Sequence, residues 1–234
     1  MAVMAHEESK DLTSGTLVIG LGRFGSAVAV TLDKLGYEIL AVERDPARVR
    51  AFAGRFPLVE ADATSMDALE QLGAREFRAA VVGAGSSLES SVLITANLVD
   101  LGMPSIWTKA ISREHGRILR RIGAHHVIYP EFDAGQRTAH LVGGRMIDYI
   151  EMEKGGFAIM KLRPPREVHG FTLEDLDLRG RYGVNMLGIL RPGQPFEYAK
   201  AQTRINPEDI IIVSGDARLL EPPLNRTSSA RIGP

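Results

Sequence analysis

The sequence predicts an α/β protein, with a parallel sheet of the Rossmann type followed by a smaller α+β unit. Three observations support this fold class. Short β-branched runs alternate with helical patterns from Thr16 to Tyr129, a glycine-rich turn directly follows the first run, and the pattern changes after Glu131.

Six short apolar runs are predicted to be the strands of the first unit. They are TLVIG, EILAVE, PLVEAD, AAVVG, SIWTK and HVIYP. Between them, apolar residues recur at helical spacing, as Phe24, Val28 and Leu32 do. Strands that alternate with helices usually pair in parallel, so helices are expected on both faces of the sheet.

The pattern after the sixth run predicts a crossover helix and then a second unit. Residues from Asp133 to Asp148 are predicted to form one helix, which Gly143 and Gly144 could kink. Beyond it, FAIMKL, VNMLGIL and DIIIVSG predict strands, with a short helix near Leu173–Leu176. The predicted boundaries are a disordered tail at 1–14, a Rossmann-like domain at 15–132, the crossover helix and linker at 133–153, a C-terminal domain at 154–217 and a disordered tail at 218–234.

The composition excludes several classes of protein. The 234 residues are 44% hydrophobic and carry a formal net charge of -1, so no basic excess favours nucleic-acid binding. The chain has no cysteine, which excludes disulfides, thiolate nucleophiles and cysteine-rich zinc sites. No apolar run approaches the roughly 20 residues of a membrane span, and the first residues do not form a signal peptide. We therefore expect a cytoplasmic protein.

A G-x-G-x-x-G turn follows the first run. It consists of Gly20, Gly22 and Gly25, with Arg23 and Phe24 between the last two glycines. The first glycine permits a tight turn, the second lets backbone approach a pyrophosphate, and the third lets helix and strand pack closely. The N–H groups at the start of the next helix would then bind phosphates.

The second run ends in a carboxylate that fits the same site. Glu43 follows Gly25 by 18 residues, where a Rossmann site places the acid that binds the ribose hydroxyls. Such an acid disfavours a 2′-phosphate, although the adjacent Arg44 could accept one. The alternative is that Glu43 is a solvated surface residue.

The sequence gives little support for an enzyme. No histidine is placed as a base with an orienting carboxylate, and no G-x-S-x-G, H-E-x-x-H or Walker motif occurs. The adjacent His125 and His126 flank a strand, which favours structural roles. An NAD-dependent oxidoreductase remains the alternative.

Several motifs together resemble one family. VIGLGRFG, ILAVERD, ADAT, SIWTKA, RIGAHHVIYPE and LDLRGRYGVNMLGI occur in this order between Thr16 and Gly215. The chain resembles the RCK (KTN) family, and within it the single-copy KtrA/TrkA-type cytosolic subunits of bacterial K⁺ transporters. The resemblance implies a nucleotide-sensing regulator that binds ATP, ADP or NAD(H) and is not an enzyme. It also implies dimers that assemble into an octameric ring beneath a membrane K⁺-translocating subunit of the KtrB/TrkH type.

The resemblance also assigns site residues. Those matched to the nucleotide site are Gly20, Gly22, Arg23, Phe24, Gly25, Glu43, Arg44, Asp62, Ala63, Thr64, Gly83, Ala84, Gly85, Lys109 and Glu131. Within this set, Lys109 and Glu131 are expected near the phosphates. Glu131 is also associated with a divalent cation, Mg²⁺ or Ca²⁺, in ATP-bound relatives.

The second unit resembles the RCK C-terminal subdomain, which binds cyclic di-AMP in some relatives. The residues matched to that site are Leu173, Leu176, Arg179, Asn185 and Pro195. The alternative is that the apolar members form the core of the unit itself. A last alternative for the whole chain is an RCK fragment of a single-chain K⁺ channel, which the polar first residues disfavour.

Overall fold

The computed structural model describes residues 15–84, 87–142, 146–152 and 156–218. The chain divides into two compact units between Glu131 and Phe132. The predicted terminal tails, apart from Arg218, lie outside the described residues, as does Gly85 of the predicted nucleotide site. In the part of the chain that is described, no helix has the length and apolar character needed to cross a bilayer.

The first unit is built on a parallel six-stranded sheet. Its strands are β1 (Thr16–Ile19), β2 (Ile39–Glu43), β3 (Leu58–Glu60), β4 (Ala79–Val82), β5 (Ser105–Lys109) and β6 (His126–Ile128). They lie in the order β3-β2-β1-β4-β5-β6 and all pair in parallel. Each predicted run forms one strand, and the order is that of a doubly wound Rossmann sheet, which confirms the predicted fold class.

Helices accompany the strands along the chain. They are α1 (Arg23–Lys34), α2 (Pro46–Phe52), α3 (Met66–Gln71), α4 (Leu88–Asp100) and α5 (Arg113–Ile122). The side chains of Asp45, Ser65, Ser87 and Ser112 accept an N–H at the starts of α2 to α5. Helix α1 differs, because its N-cap is Gly22 and no side chain caps it. Its first N–H groups therefore lack the partner that a capping side chain supplies.

The core of the first unit lies on both faces of the sheet. Leu17 and Ile19 of β1 are buried in one cluster together with Leu98 of α4. Val18 points to the opposite face and is buried in a second cluster with Ala29 of α1. This alternation is the side-chain period of a strand buried on both sides.

The predicted crossover helix is shorter than expected. Helix α6 (Pro130–Val142) begins with a proline, which suits the first helical position. Residues 146–151 are a strand, β7 (Met146–Glu151), so the prediction of one helix as far as Asp148 is wrong. The physical reason is pairing: β7 forms an antiparallel ladder with residues 158–162, and its Tyr149 is buried.

The second unit is an antiparallel sheet with short helices. After β7 its elements are β8 (Phe157–Leu162), α7 (Leu173–Leu176), α8 (Leu178–Tyr182), β9 (Val184–Leu190), β10 (Glu197–Tyr198) and β11 (Ile210–Asp216). The strand order is β10-β9-β11-β8-β7. Its core includes Met160, Leu162, Ile189, Ile205 and Val213. The predicted strands and the helix near Leu173 are present, whereas β7, α8 and β10 were not predicted.

Candidate functional site

A pocket of about 350 Å³ lies at the carboxyl ends of the parallel strands. This is where ligands bind in open α/β sheets, and the size is within the usual range for small-molecule sites. The predicted residues that line it are Gly20, Gly22, Arg23, Phe24, Glu43, Arg44, Asp62, Ala63, Thr64, Gly83, Ala84, Lys109 and Glu131. Gly25 does not line it, and Gly85 lies outside the described residues.

Two glycines of the loop are required by the fold. Gly20 has φ +87°, and a Cβ there would lie 3.1 Å from the amide nitrogen of Ala84. A Cβ on Gly25 would collide with the carbonyl oxygen of Gly20. These two positions therefore allow β1, the loop and α1 to pack closely.

The glycine between them has a different environment. Gly22 has φ −64°, a conformation open to any residue. A Cβ on Gly22 would meet only Arg48 Nη1, at 3.7 Å, which is an ordinary van der Waals contact. The fold therefore does not require glycine at this position. Because Gly22 has no side chain, the start of α1 is open. An anionic ligand needs this opening in order to approach the N–H groups.

Glu43 is buried and binds the loop backbone. Its side chain is 4% exposed, which excludes the alternative of a solvated surface residue. Oε2 accepts the N–H of Leu21 at 2.6 Å, and Oε1 accepts those of Arg44 at 2.9 Å and Asp45 at 3.0 Å. The carboxylate therefore connects the end of β2 to the glycine loop and to the start of α2. Its predicted bond to a ribose stays a prediction.

Arg48 lines the pocket but was not predicted. Its Nη1 lies 3.6 Å from Glu43 Oε2, and its Nε lies 3.5 Å from Asp45 Oδ2. The contact with Glu43 is longer than the three backbone bonds, so a ribose hydroxyl could replace Arg48 there. Arg48 lies within the first turn of the helix that follows Glu43. Because Arg48 follows the predicted ribose acid so closely, the sequence alone could have indicated that it lines the pocket.

The residues after β3 form a polar edge of the pocket. Asp62 Oδ1 accepts the N–H of Thr64 at 3.0 Å and its hydroxyl at 2.8 Å. These two bonds from Thr64, with the charge of Arg44, lower the pKa of Asp62. The side chain of Asn97 donates to the Thr64 carbonyl at 2.9 Å, which fixes the segment against α4.

An ion pair lies at the other end of the pocket. Lys109 Nζ, at the end of β5, lies 2.5 Å from Glu131 Oε1 in the first turn of α6. The hydrogen bond from Lys109, and further the charge of Arg23, lower the pKa of Glu131. Two cations and one carboxylate therefore converge here, which suits a ligand with more than one negative charge.

The residues at this end do not form a metal centre by themselves. No group of three His, Asp or Glu side chains among the described residues is arranged to hold a metal ion. Oε1 of Glu131 already accepts a hydrogen bond from Lys109, and Oδ1 of Asp62 accepts one from Thr64. Divalent cations need several oxygen ligands, so these side chains alone do not hold a resident ion, and the predicted Mg²⁺ or Ca²⁺ at Glu131 together with ATP stays a prediction.

The described histidines of the first unit have structural partners. His115 is fully buried; its Nδ1 accepts the Ile111 N–H at 3.3 Å and its Nε2 lies 2.8 Å from Ser91 Oγ. Burial lowers the pKa of His115. His125 accepts the Ile106 N–H, and the ring of His126 stacks on Trp107. The Ser91–His115 pair resembles a nucleophile and base only in composition, because both side chains are buried.

The predicted cyclic di-AMP residues fall into two groups. Leu173 and Leu176 are partly buried and pack against the core of the second unit, as the alternative reading of the sequence expects. Arg179, Asn185 and Pro195 are exposed. Cyclic di-AMP binding remains a prediction.

Known proteins resemble this chain both in sequence and in structure. The TrkA-N domain matches residues 16–130. Ktr system potassium uptake protein C of Bacillus subtilis (strain 168) is 35% identical over 200 residues, which cover 85% of this chain and 90% of that protein. Ktr system potassium uptake protein A of the same organism is 33% identical, again over 85% of this chain and 90% of that protein. The GsuK channel bound to NAD has a similar structure, with TM-score 0.66 and 17% identity, over 94% of this chain and 41% of that one.

The structural likeness to GsuK is at low identity and supports the fold alone. The sequence likeness to the two Ktr proteins is higher and extends over both units. The chain therefore belongs to the RCK (KTN) family, which includes the Ktr system potassium uptake proteins.

Proposed function

We propose that this chain is a nucleotide-sensing regulatory subunit of a K⁺ uptake system. It binds ATP, ADP or NAD(H) in the pocket of the first unit and controls a membrane K⁺-translocating partner from the cytoplasmic side. The observation that carries the proposal is the convergence of the open glycine loop, Glu43, Asp62 and the cations Arg23 and Lys109 on one pocket.

The pocket has the chemistry for each part of an adenine nucleotide. The uncapped start of α1 offers N–H groups to the first phosphates, and Arg23 and Lys109 offer charge to later ones. In the proposed binding mode Glu43 contacts the ribose, and the segment from Asp62 to Thr64, which lines the same pocket, contacts the base. The NAD bound to the GsuK channel is consistent with a nucleotide at this fold.

A regulator is favoured over an oxidoreductase because the pocket lacks a proton donor of the usual kind. Hydride transfer to a carbonyl needs a general acid beside the nicotinamide. The described lining contains no histidine, tyrosine or cysteine, and its one lysine is paired with Glu131. We infer that nucleotides bind without being turned over.

Family membership supports a proposal for the partner and the assembly. The two related proteins are potassium uptake proteins of Ktr systems, so the proposed partner is a membrane subunit of the KtrB/TrkH type. We further propose a homo-oligomer built from dimers, with an octameric ring as the expected state. Light scattering tests this; a monomer at all micromolar concentrations, with and without nucleotide, contradicts it.

The decisive functional experiment is K⁺ flux in proteoliposomes that contain the membrane partner. ATP and ADP should give different fluxes, because ATP adds a phosphate that Arg23 can contact, and only such a difference in binding can shift a conformational equilibrium. Arg23→Ala should reduce the difference. Arg163→Ala, which removes an exposed arginine of the second unit, should leave it unchanged.

Two outcomes would contradict the proposal. Equal flux with ATP, ADP, NADH and no nucleotide would mean that the chain does not sense these ligands. Sustained hydride transfer or ATP hydrolysis by a contaminant-free preparation would favour an enzyme instead.

A further inference from the structure

We propose that Glu131 is a built-in competitor of nucleotide phosphates for Lys109, and that it thereby sets which phosphate-chain lengths the pocket prefers. The inference rests on the proposed function, since it concerns the phosphate end of the same pocket. It gives Glu131 a role that does not depend on a divalent cation.

The geometry of the pair carries the inference. The side chain of Lys109 is 13% exposed, whereas that of Glu131 is 61% exposed. A largely enclosed cation is thus contacted, at 2.5 Å, by a carboxylate that retains access to solvent. A phosphate oxygen that approaches Lys109 meets an anion already bonded to it. The Glu131 carboxylate can move away from Lys109 into solvent, so a phosphate can take its place without a steric clash.

The charges around the pair make the competition effective. Arg23 and Lys109 both favour the ionised form of Glu131, so the competitor is an anion at neutral pH. The other two carboxylates of the described lining have different constraints. Glu43 is buried against three backbone N–H groups, and Asp62 is bonded to Thr64. Of these three, Glu131 is the one whose lysine partner a phosphate could take over.

Ligands of different length should respond differently. AMP has one phosphate, which the open start of α1 would bind, and it leaves the Lys109–Glu131 pair intact. ADP and ATP extend toward Lys109 and must separate the pair. Glu131 lies in the first turn of α6, and Leu141 near the end of that helix packs against the core of the second unit. Release of Glu131 would therefore remove the side-chain contact between the end of β5 and the first turn of α6 when the phosphate end is filled.

The test is calorimetric titration of AMP, ADP and ATP in EDTA with the full chain and two variants. Glu131→Gln removes the charge but keeps a side chain of the same size. Asp133→Asn is the matched control, because it removes one charge from an exposed position on the same helix that does not line the pocket. Glu131→Gln should strengthen ADP and ATP binding by about fivefold and leave AMP binding within about twofold. Asp133→Asn should change none of the three.

Several results would overturn the inference. Unchanged or weaker ADP and ATP binding by Glu131→Gln in EDTA contradicts the competition. An equal gain with AMP, or with Asp133→Asn, would mean that Glu131 acts only through the general charge of the site. If the wild type binds AMP, ADP and ATP but Glu131→Gln gives no gain, this inference alone fails. If the wild type binds no nucleotide, the proposed function fails with it.

Discussion

Two carboxylates at opposite ends of one pocket have contrasting environments. Glu43 is buried at the end of β2 and accepts three backbone N–H groups. Glu131 is mostly exposed at the start of α6 and pairs with the side chain of Lys109. The first contributes to the shape of the pocket, and the second modifies how the pocket responds to a charged ligand.

The partner of a charged group decides its role more than its charge does. Backbone N–H groups are fixed by the fold, so the carboxylate that accepts them becomes part of the fold. A lysine side chain can instead exchange one anion for another in water. Substitutions at the two ends of the pocket should separate these two roles.

Glu43→Ala should strongly destabilise the first unit. It removes the acceptor of the Leu21, Arg44 and Asp45 N–H groups in a buried place, and we expect a loss of about 3 kcal/mol or more in the free energy of unfolding. Nucleotide affinity should fall as well. Urea unfolding followed by circular dichroism measures the stability change. Asp45→Ala, which removes a half-exposed helix cap next to it, is the control and should lose only about 1 kcal/mol. Equal losses would contradict a structural role specific to Glu43.

Gly25→Ala should also act through the fold. The added methyl would collide with the Gly20 carbonyl, and we expect a loss of roughly 1 to 3 kcal/mol. Thermal unfolding with and without ADP measures it. A variant that unfolds at the wild-type temperature would mean that the loop relaxes without strain, and that Gly25 is not needed for packing.

Lys109→Met should act on binding rather than on folding. It removes the cation at the phosphate end, and we expect ADP and ATP to bind about tenfold more weakly. AMP should be affected less, because its single phosphate stays at the glycine loop. Calorimetric titration of the three ligands checks this order, and an equal loss for all three would contradict the placement of Lys109 beyond the first phosphate.

The smallest expected effect is on titration of Glu131. Its pKa is lowered in the folded chain, so the pair contributes stability above the ordinary pKa of about 4.5 and loses it as the pH falls through the lower folded value. Carboxyl NMR titration should show a lowered pKa in the wild type and a higher pKa in Lys109→Met, because only the charge of Arg23 and the backbone bond then lower it. An unchanged pKa in the variant would mean that Lys109 is not the cause.

The main features of the fold were predictable from the sequence. Each strand of the first sheet is a short β-branched run, and a Gly-rich turn after the first run locates the loop without three-dimensional information. Strand β7 was not predictable in this way. Leu141, Met146 and Ile150 are apolar residues in and just after the predicted helix, and only antiparallel pairing with β8 makes residues 146–151 a strand.

The polar contacts of the pocket were harder to predict than its position. The acid at Glu43 was predictable from spacing, but the three N–H groups that bind it converge only when the loop and α2 fold around it. The pairing of Lys109 with Glu131 likewise joins the end of β5 to the start of α6. Such contacts depend on side-chain directions, which a pattern of residue types does not determine.

The most direct measurement is ADP binding by the wild type, Gly22→Ala and Gly135→Ala. Gly22 is open in the fold but faces the pocket, whereas Gly135 in α6 has no neighbour within 4 Å of an added Cβ and does not line the pocket. We predict that all three fold alike, that the wild type and Gly135→Ala bind ADP equally, and that Gly22→Ala binds at least about tenfold more weakly, because its methyl blocks backbone approach to the phosphates. Equal binding by all three, or no binding by the wild type, would contradict a nucleotide site at the glycine loop.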